Sequence, residues 1–229
     1  MEREKGIFSL AKENPPVPGC TISRKIGETA GAYALIFSLA QGTDISDTLY
    51  EQAHFFYVLQ GELDLTQGEI YRLSRGNCYI SSPGKPLSVK GDTNVVYLEI
   101  GCKEEMNMNK IIEQKGVFQL KDLLPYEEGR IVNEGLIASE GTRFALLSLA
   151  AGTALPRHSA PSDALLFALD GEAVFHHQGK DYDFKGGDNF SMHKGDVHSM
   201  TAKTDFKFAL LLTKPEEERA FEALPEFKK

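Results

Sequence analysis

The chain repeats itself, and this duplication limits the possible folds more than any other feature of the sequence. Gly6-Ile7-Phe8-Ser9-Leu10 corresponds to Gly116-Val117-Phe118-Gln119-Leu120, and Ser38-Leu39-Ala40-Gln41-Gly42-Thr43 to Ser148-Leu149-Ala150-Ala151-Gly152-Thr153, both 110 residues apart. Leu59-Gln60-Gly61-Glu62 and Leu169-Asp170-Gly171-Glu172 keep that spacing. Gln67-Gly68, Tyr71, Gly76 and Gly84 then match Gln178-Gly179, Tyr182, Gly187 and Gly195 at a spacing of 111. One residue has entered the second copy between Glu172 and Gln178, inside an expected strand, where a bulge would absorb it. A chain of 229 residues allows one large domain or two small ones, and the repeat selects two.

Each copy reads as short strands separated by turns. Tyr33 to Leu39 and Phe144 to Leu149 are apolar runs too short for helices, closed by Gly42 and Gly152. Phe55 to Leu59 and Leu165 to Leu169 are continuously apolar, as strands buried on both faces are. Alternation follows in Glu62-Leu63-Asp64-Leu65-Thr66, and Gln67-Gly68 and Gln178-Gly179 reverse the chain as hairpin turns. Strands at this spacing with glycine corners predict antiparallel sandwiches or barrels. Two helices are expected: Met106 to Gln114 between the halves, and a C-terminal one from Pro215, with acids in its first turn and apolar residues at helical spacing.

With 25 Lys and Arg against 33 Asp and Glu, the net charge is −8. No stretch of the sequence supplies the clustered Lys and Arg that nucleic acid or an anionic membrane needs, so neither is an expected partner. No apolar run reaches the ~18 residues of a bilayer span, and the first residues lead into no signal-like apolar core. Cys20, Cys78 and Cys102 form no CxxC pair, and Cys20 and Cys78 are expected to be buried, unreactive thiols. A soluble cytoplasmic protein is expected.

The glycines and the histidines among them resemble the cupin superfamily, whose domains are double-stranded β-helix, or jelly-roll, barrels. The usual first motif is Gly, five residues, His-x-His, three or four residues, Glu, six residues, Gly. Here Gly152 is followed by five residues, His158, Ser159 and Ala160, with Ala164 at the Glu position and Gly171 at the end. The usual second motif is Gly, five residues, Pro-x-Gly, two residues, His, three residues, Asn. Here Gly187 leads to His193 at the Pro position, Gly195, His198, and Ala202 at the Asn position. The resemblance implies an all-β bicupin. Its first barrel is expected over residues 1–100, a linker over 101–116, a second barrel over 117–214 and a helical tail over 215–229.

In such barrels two His, the Glu and the last His hold one divalent metal. His158 and His198 remain, and the resemblance makes them candidate ligands to Fe, Mn, Ni or Zn or to a small molecule. Asp163, beside the Glu position, and His193 are candidates to complete that site, and uncharacterised single-domain cupins resemble His158 through Asp163-Ala164. In the first half the equivalents are Thr48, Tyr50, His54 and Leu87, of which only His54 could ligate a metal. His54, Tyr50 and Tyr57 are candidates for a dry aromatic pocket, the first barrel being otherwise structural. His176 and His177 precede a turn and are expected to be solvated. The expected function is binding of a small molecule by the second barrel, the competing one a metal-dependent enzyme resembling cupin dioxygenases or sugar and uronate isomerases. A transcriptional sensor is disfavoured because no helix-turn-helix segment remains. The chain is expected to act as a monomeric bicupin or a homodimer.

Overall fold

The computed structural model describes residues 6–104, 106–113 and 116–214. The expected C-terminal helix from Pro215 lies outside them. No helix of the described residues is long and apolar enough to cross a membrane.

Each copy of the repeat forms a six-stranded and a four-stranded antiparallel sheet. In the first copy the larger sheet runs Thr21–Glu28, Ala32–Leu39, Val95–Cys102, His54–Gln60, Asn77–Ile80, Phe118–Gln119. The smaller runs Asp44–Leu49, Pro86–Gly91, Glu62–Gln67, Glu69–Ser74. In the second copy the larger sheet runs Asn107–Met108, Ile131–Ser139, Thr142–Leu149, Phe206–Thr213, Asp163–Asp170, Asn189–Met192. The smaller runs Ala154–Ser159, Val197–Ala202, Glu172–His177, Lys180–Lys185. Five strands of the larger sheet and all four of the smaller follow the same order in both copies, as a duplicated jelly roll requires, while the sixth strand sits at opposite ends, Phe118–Gln119 beside Asn77–Ile80 and Asn107–Met108 beside Ile131–Ser139.

Three apolar clusters hold this together. One fills the first barrel around Phe56, Leu65, Val89 and Tyr97. A second fills the other barrel around Leu166, Phe175, Phe190 and Phe206. The third lies between the barrels, where the outer faces of the two six-stranded sheets pack back to back through Phe55, Leu98, Phe144 and Phe167. This sandwich is why His54–Gln60 and Asp163–Asp170 read as unbroken apolar strands: alternate side chains enter a barrel core and the interbarrel core.

The segment before each barrel pairs with the other barrel. Phe118 pairs with Cys78 of the first barrel, and Phe8 bridges to Asn189 of the second. Asn189 also accepts the Leu10 N–H through its side chain at 2.9 Å, just where a single helical turn, Leu10–Glu13, begins.

Two local expectations are corrected. The inserted residue makes no bulge, because Glu172–His177 pairs without interruption with both of its neighbours. It enlarges the turn instead. Gln67 pairs with Glu69 around Gly68 alone, whereas His177 pairs with Lys180 around Gln178 and Gly179, both at positive φ. A two-residue turn of that kind matches the twist of a hairpin. The second correction concerns Met106 to Gln114: its described residues hold the strand Asn107–Met108 and a turn, not a helix. Pairing with Ile131–Ser139 overrides the helical spacing.

Candidate functional site

The sheet register sets histidines from three separate strands in one row. His158 pairs with His198, and His198 pairs on its other side with His177. Directly opposed residues stand ~5 Å apart at Cβ, and the His158 and His198 rings lie 4.2 Å apart, centroid to centroid. His177 and His198 share the inward face with Phe175, whose ring is 6.0 and 5.8 Å from theirs. His177 also meets the edge of Phe190 at 4.9 Å.

Main-chain carbonyls decide the tautomers of the first two. His158 Nδ1–H donates to the Pro156 carbonyl at 2.7 Å, and His198 Nδ1–H to the Asp196 carbonyl at 3.1 Å. A carbonyl only accepts, so each ring keeps its Nε2 lone pair for something else. His177 instead turns Nε2 to Asp196 Oδ2 at 3.0 Å. Asp196 further accepts from the His193 N–H at 2.9 Å and the Gln178 side chain at 2.8 Å. Partial burial pushes the Asp196 carboxyl up, but these hydrogen bonds outweigh it and hold the group below the usual carboxylate range.

Asp163 and His193 come together at the rim, His193 Nδ1 lying 3.5 Å from Asp163 Oδ1 with the imidazole 80% exposed. Among the described residues no hydrogen bond, ion pair or ring contact joins either of them to His158 or His198. With His177 and Asp196 they line a cleft of about 750 Å³ that reaches to Arg24 and Ile26 of the first barrel. The site expected from sequence is therefore two neighbouring features, joined through His177 and Asp196.

His177 is half-buried and inward, not solvated as expected, while His176 turns its more open side chain outward to pair with Asp181. The signal was in the strand itself: Ala173 and Phe175 are core residues, so parity puts His177 on their face. Cys78 is buried as expected, whereas Cys20 is exposed, and Cys102 is buried as well.

The first barrel has a polar cluster of its own, built on Tyr50 and His54 at the counterparts of Ala160 and Ala164 rather than at those of His158 and His198. His54 and Glu99 are both buried, His54 Nδ1 lying 2.7 Å from Glu99 Oε1. Tyr50 lies over the His54 ring at 3.7 Å, and the Tyr33 hydroxyl is 3.4 Å from Nε2. Burial, helped by Glu99, pushes the Tyr33 phenol up to about 12. Tyr57 does not belong here: it points out of the barrel and meets Phe167 of the other one. Sequence reasoning missed Glu99, although a single carboxyl in the otherwise apolar run Val95 to Ile100 marks a buried polar function.

A resident metal does not fit the described side chains. Among the described residues no group of three or more His, Cys, Asp or Glu could hold an ion. His158 and His198 offer two nitrogens, His177 is committed to Asp196, and the motif positions that would add ligands are Ala160 and Ala164, both buried.

Burial, chiefly, holds His198 below the usual imidazole value of 6.5, and the neighbouring His158 and His177 add to it against the pull of Asp196. The unfolded chain takes up this proton near pH 6.5, and the native state only at lower pH. Stability from neutral His198 is thus complete above 6.5 and is lost as pH falls from there toward the folded value. His198→Leu, carrying the residue of its first-barrel counterpart Leu87, is expected to flatten this part of the stability profile. Urea unfolding of both proteins across the acid range measures it, and identical slopes would contradict the assignment.

The family described as the AraC-like ligand binding domain matches residues 149–227. No curated protein sequence matches the chain. Among solved structures, a cupin 2 conserved barrel domain protein from Leptotrichia buccalis superposes with a TM-score of 0.79 at 25% identity, covering 93% of this chain and 98% of that one. A salicylate 1,2-dioxygenase from Pseudoaminobacter salicylatoxidans superposes at 0.60 with 14% identity, covering 95% and 83%. The protein Ylba from E. coli does so at 0.57 with 13% identity, covering 91% and 90%. The last two are likenesses of fold.

Proposed function

The chain belongs to the cupin superfamily, and from that premise we propose that it binds a small molecule at the histidine row of its second barrel. The observation that carries this reading is the pair of Nε2 lone pairs on His158 and His198, presented side by side because both Nδ1 atoms are tied to main-chain carbonyls. Two such acceptors suit a ligand that brings two hydroxyl or N–H donors. Phe175 and Phe190 supply apolar walls beneath, and the cleft lined by Asp163, His177, His193 and Asp196 supplies an approach. A concave, mostly apolar site with a few polar groups is what small-molecule recognition uses. The match of residues 149–227 to a ligand-binding family supports the choice of this barrel.

In this reading Asp196 is the organiser of the rim. Its carboxyl holds His177, Gln178 and the His193 main chain, while its carbonyl orients His198. Substitution at Asp196 therefore disturbs both the row and the rim, whereas substitution at Asp163 disturbs the rim alone.

The test is a thermal-shift screen with sugars, amino acids, nucleosides, phenols and carboxylic acids, on protein purified without chelators and assayed for Fe, Mn, Ni and Zn. A compound that stabilises the native chain is expected to lose that effect in the His158→Ala/His198→Ala double variant, by at least tenfold in affinity, since two hydrogen bonds at about 1 kcal/mol each are removed. Unchanged binding in the double variant would defeat the reading. Stoichiometric metal that the double variant loses would replace it with a metal centre.

A further inference from the structure

We propose that a cleft between the two barrels is a second, separate binding site, for a small organic carboxylate with an apolar body, held by Tyr57 and Arg75. The cleft has a volume of about 630 Å³ and shares no lining residue with the cleft of Asp163 and His193. Its walls are counterparts of one another. Tyr57 and Phe167, Leu59 and Leu169, and Gly76 and Gly187 each occupy one position in the two copies, and both members of every pair line it. A cavity lined in this way straddles the axis that relates the copies.

The starting point is a hydroxyl. Tyr57 is 7% exposed, with its ring edge-on to that of Phe167 at 6.0 Å. Its hydroxyl has no hydrogen-bond partner among the described residues. The hydroxyls sealed away without a partner there are those of Tyr97 and Ser139, so that of Tyr57 opens on the cleft. Buried polar groups are nearly always paired, and a ligand oxygen would satisfy this one. Burial, and then Cys78, hold the phenol above its ordinary value against the pull of Arg75, so it keeps its proton and donates. Phe167 stands at the matching position without a hydroxyl, so this polar function belongs to one copy alone.

Arg75 supplies the charge. The turn that carries it is fastened beside Tyr57, because the Gly76 N–H donates to the Val58 carbonyl at 2.8 Å and Cys78 pairs in register with Tyr57. From there the guanidinium reaches across to the second barrel. A Cβ on Gly187 would lie 2.5 Å from one of its terminal nitrogens, so it is a glycine that admits it. Gly186 holds the position of Arg75 in the second copy, and the reach therefore runs in one direction only. Among the described residues no hydrogen bond or ion pair holds the Arg75 side chain. A planar guanidinium beside an unpaired phenol presents the donors that the two oxygens of a carboxylate accept.

The other charges leave room for one negative group. Lys12 and Lys121 also line the cleft, their ammonium groups without an ion pair among the described residues. Asp170 and Asp188 line it as well, but both are engaged. Asp170 accepts from the Tyr126 hydroxyl at 2.9 Å and faces Lys207, and Asp188 accepts the Lys185 N–H at 3.0 Å. Three cations against two carboxylates leave an excess that suits a singly charged anion. The half-buried Leu59 and Leu169 give the rest of the ligand an apolar seat.

The experiment uses the full chain with benzoate as probe, and binding is followed by titration calorimetry at low salt. Benzoate is expected to bind saturably, and benzamide, its neutral isostere, not to bind. Arg75→Gln is expected to weaken benzoate at least tenfold, and Arg75→Lys, which keeps the charge without the fork, to restore only part of that. Tyr57→Phe, which installs the residue of its counterpart and deletes one atom, is expected to weaken binding roughly fivefold. Urea midpoints of all variants show that the loss is read on folded protein. The His158→Ala/His198→Ala variant is expected to bind benzoate as the wild type does, which separates this site from the histidine row. No saturable binding, equal binding of benzamide, or displacement of benzoate by equimolar inorganic phosphate would each overturn the proposal. So would full binding by Arg75→Gln or Tyr57→Phe, or a loss confined to the histidine double variant.

Discussion

Phe144→Ala is expected to cost about 3–5 kcal/mol of folding stability, as deletion of a fully buried aromatic ring does. Phe144 is 0% exposed and meets Phe55 of the other barrel at 5.2 Å and Phe167 of its own at 6.3 Å. It stands in the middle of the interbarrel core, so the cavity cannot be closed by a shift within one barrel without opening the sheet-to-sheet contact. The consequence extends beyond the size of the loss. The wild type is expected to unfold in urea as one unit, because the shared core and the exchanged Phe8 and Phe118 segments tie each barrel to the other. Phe144→Ala is expected to broaden or split that transition. Phe175→Ala, in the core of the second barrel alone, serves as the comparison. A loss below about 1 kcal/mol for Phe144→Ala would mean that the barrels are independently stable and only lightly associated.

Gly171→Ala is expected to abolish soluble protein or to cost more than roughly 3 kcal/mol, through backbone strain combined with a steric clash. Gly171 has a φ of +73°, and a Cβ on it would lie 1.8 Å from the Asp205 carbonyl oxygen, which belongs to main chain and cannot swing away. It links Asp163–Asp170 to Glu172–His177, so any displacement also moves His177 out of the row. The comparison that isolates the clash is Gly179→Ala. Gly179 has a φ of +79° but nothing within 4 Å of its Cβ position, so this variant pays only the conformational cost of about 1–2 kcal/mol. Soluble yield and denaturant midpoints of the two variants measure the difference. Equal stability would show that the close approach to Asp205 carries no weight.

The legibility of this protein in its sequence follows a physical line. The repeat and its glycines were readable because turns are local. Gly61, Gly76, Gly171 and Gly187 all have positive φ, which a side chain resists, so the turn and its glycine occur together. The inserted residue was placed one element too early because sequence matching of Gln67 with Gln178 followed identity, whereas the strand ladder pairs structure with structure. The helix expected over Met106 to Gln114 failed for the related reason that a strand partner far along the chain outweighs weak local propensity. Strand parity was enough to turn His177 inward, and the lone carboxyl of an apolar strand was enough to single out Glu99. Both signals are local.

Sequence alone determined that the chain is two copies of one all-β unit, where the corners fall, and that the two copies differ at their motif positions. Only the tertiary structure decided which of these side chains meet. His158, His177 and His198 are separated along the chain and adjoin through strand register, His54 and Glu99 meet across two neighbouring strands, and Phe8 and Phe118 cross to opposite barrels. Such contacts depend on which strands pair and in what register. That choice is made by burying three cores at once, and no single stretch of residues contains it.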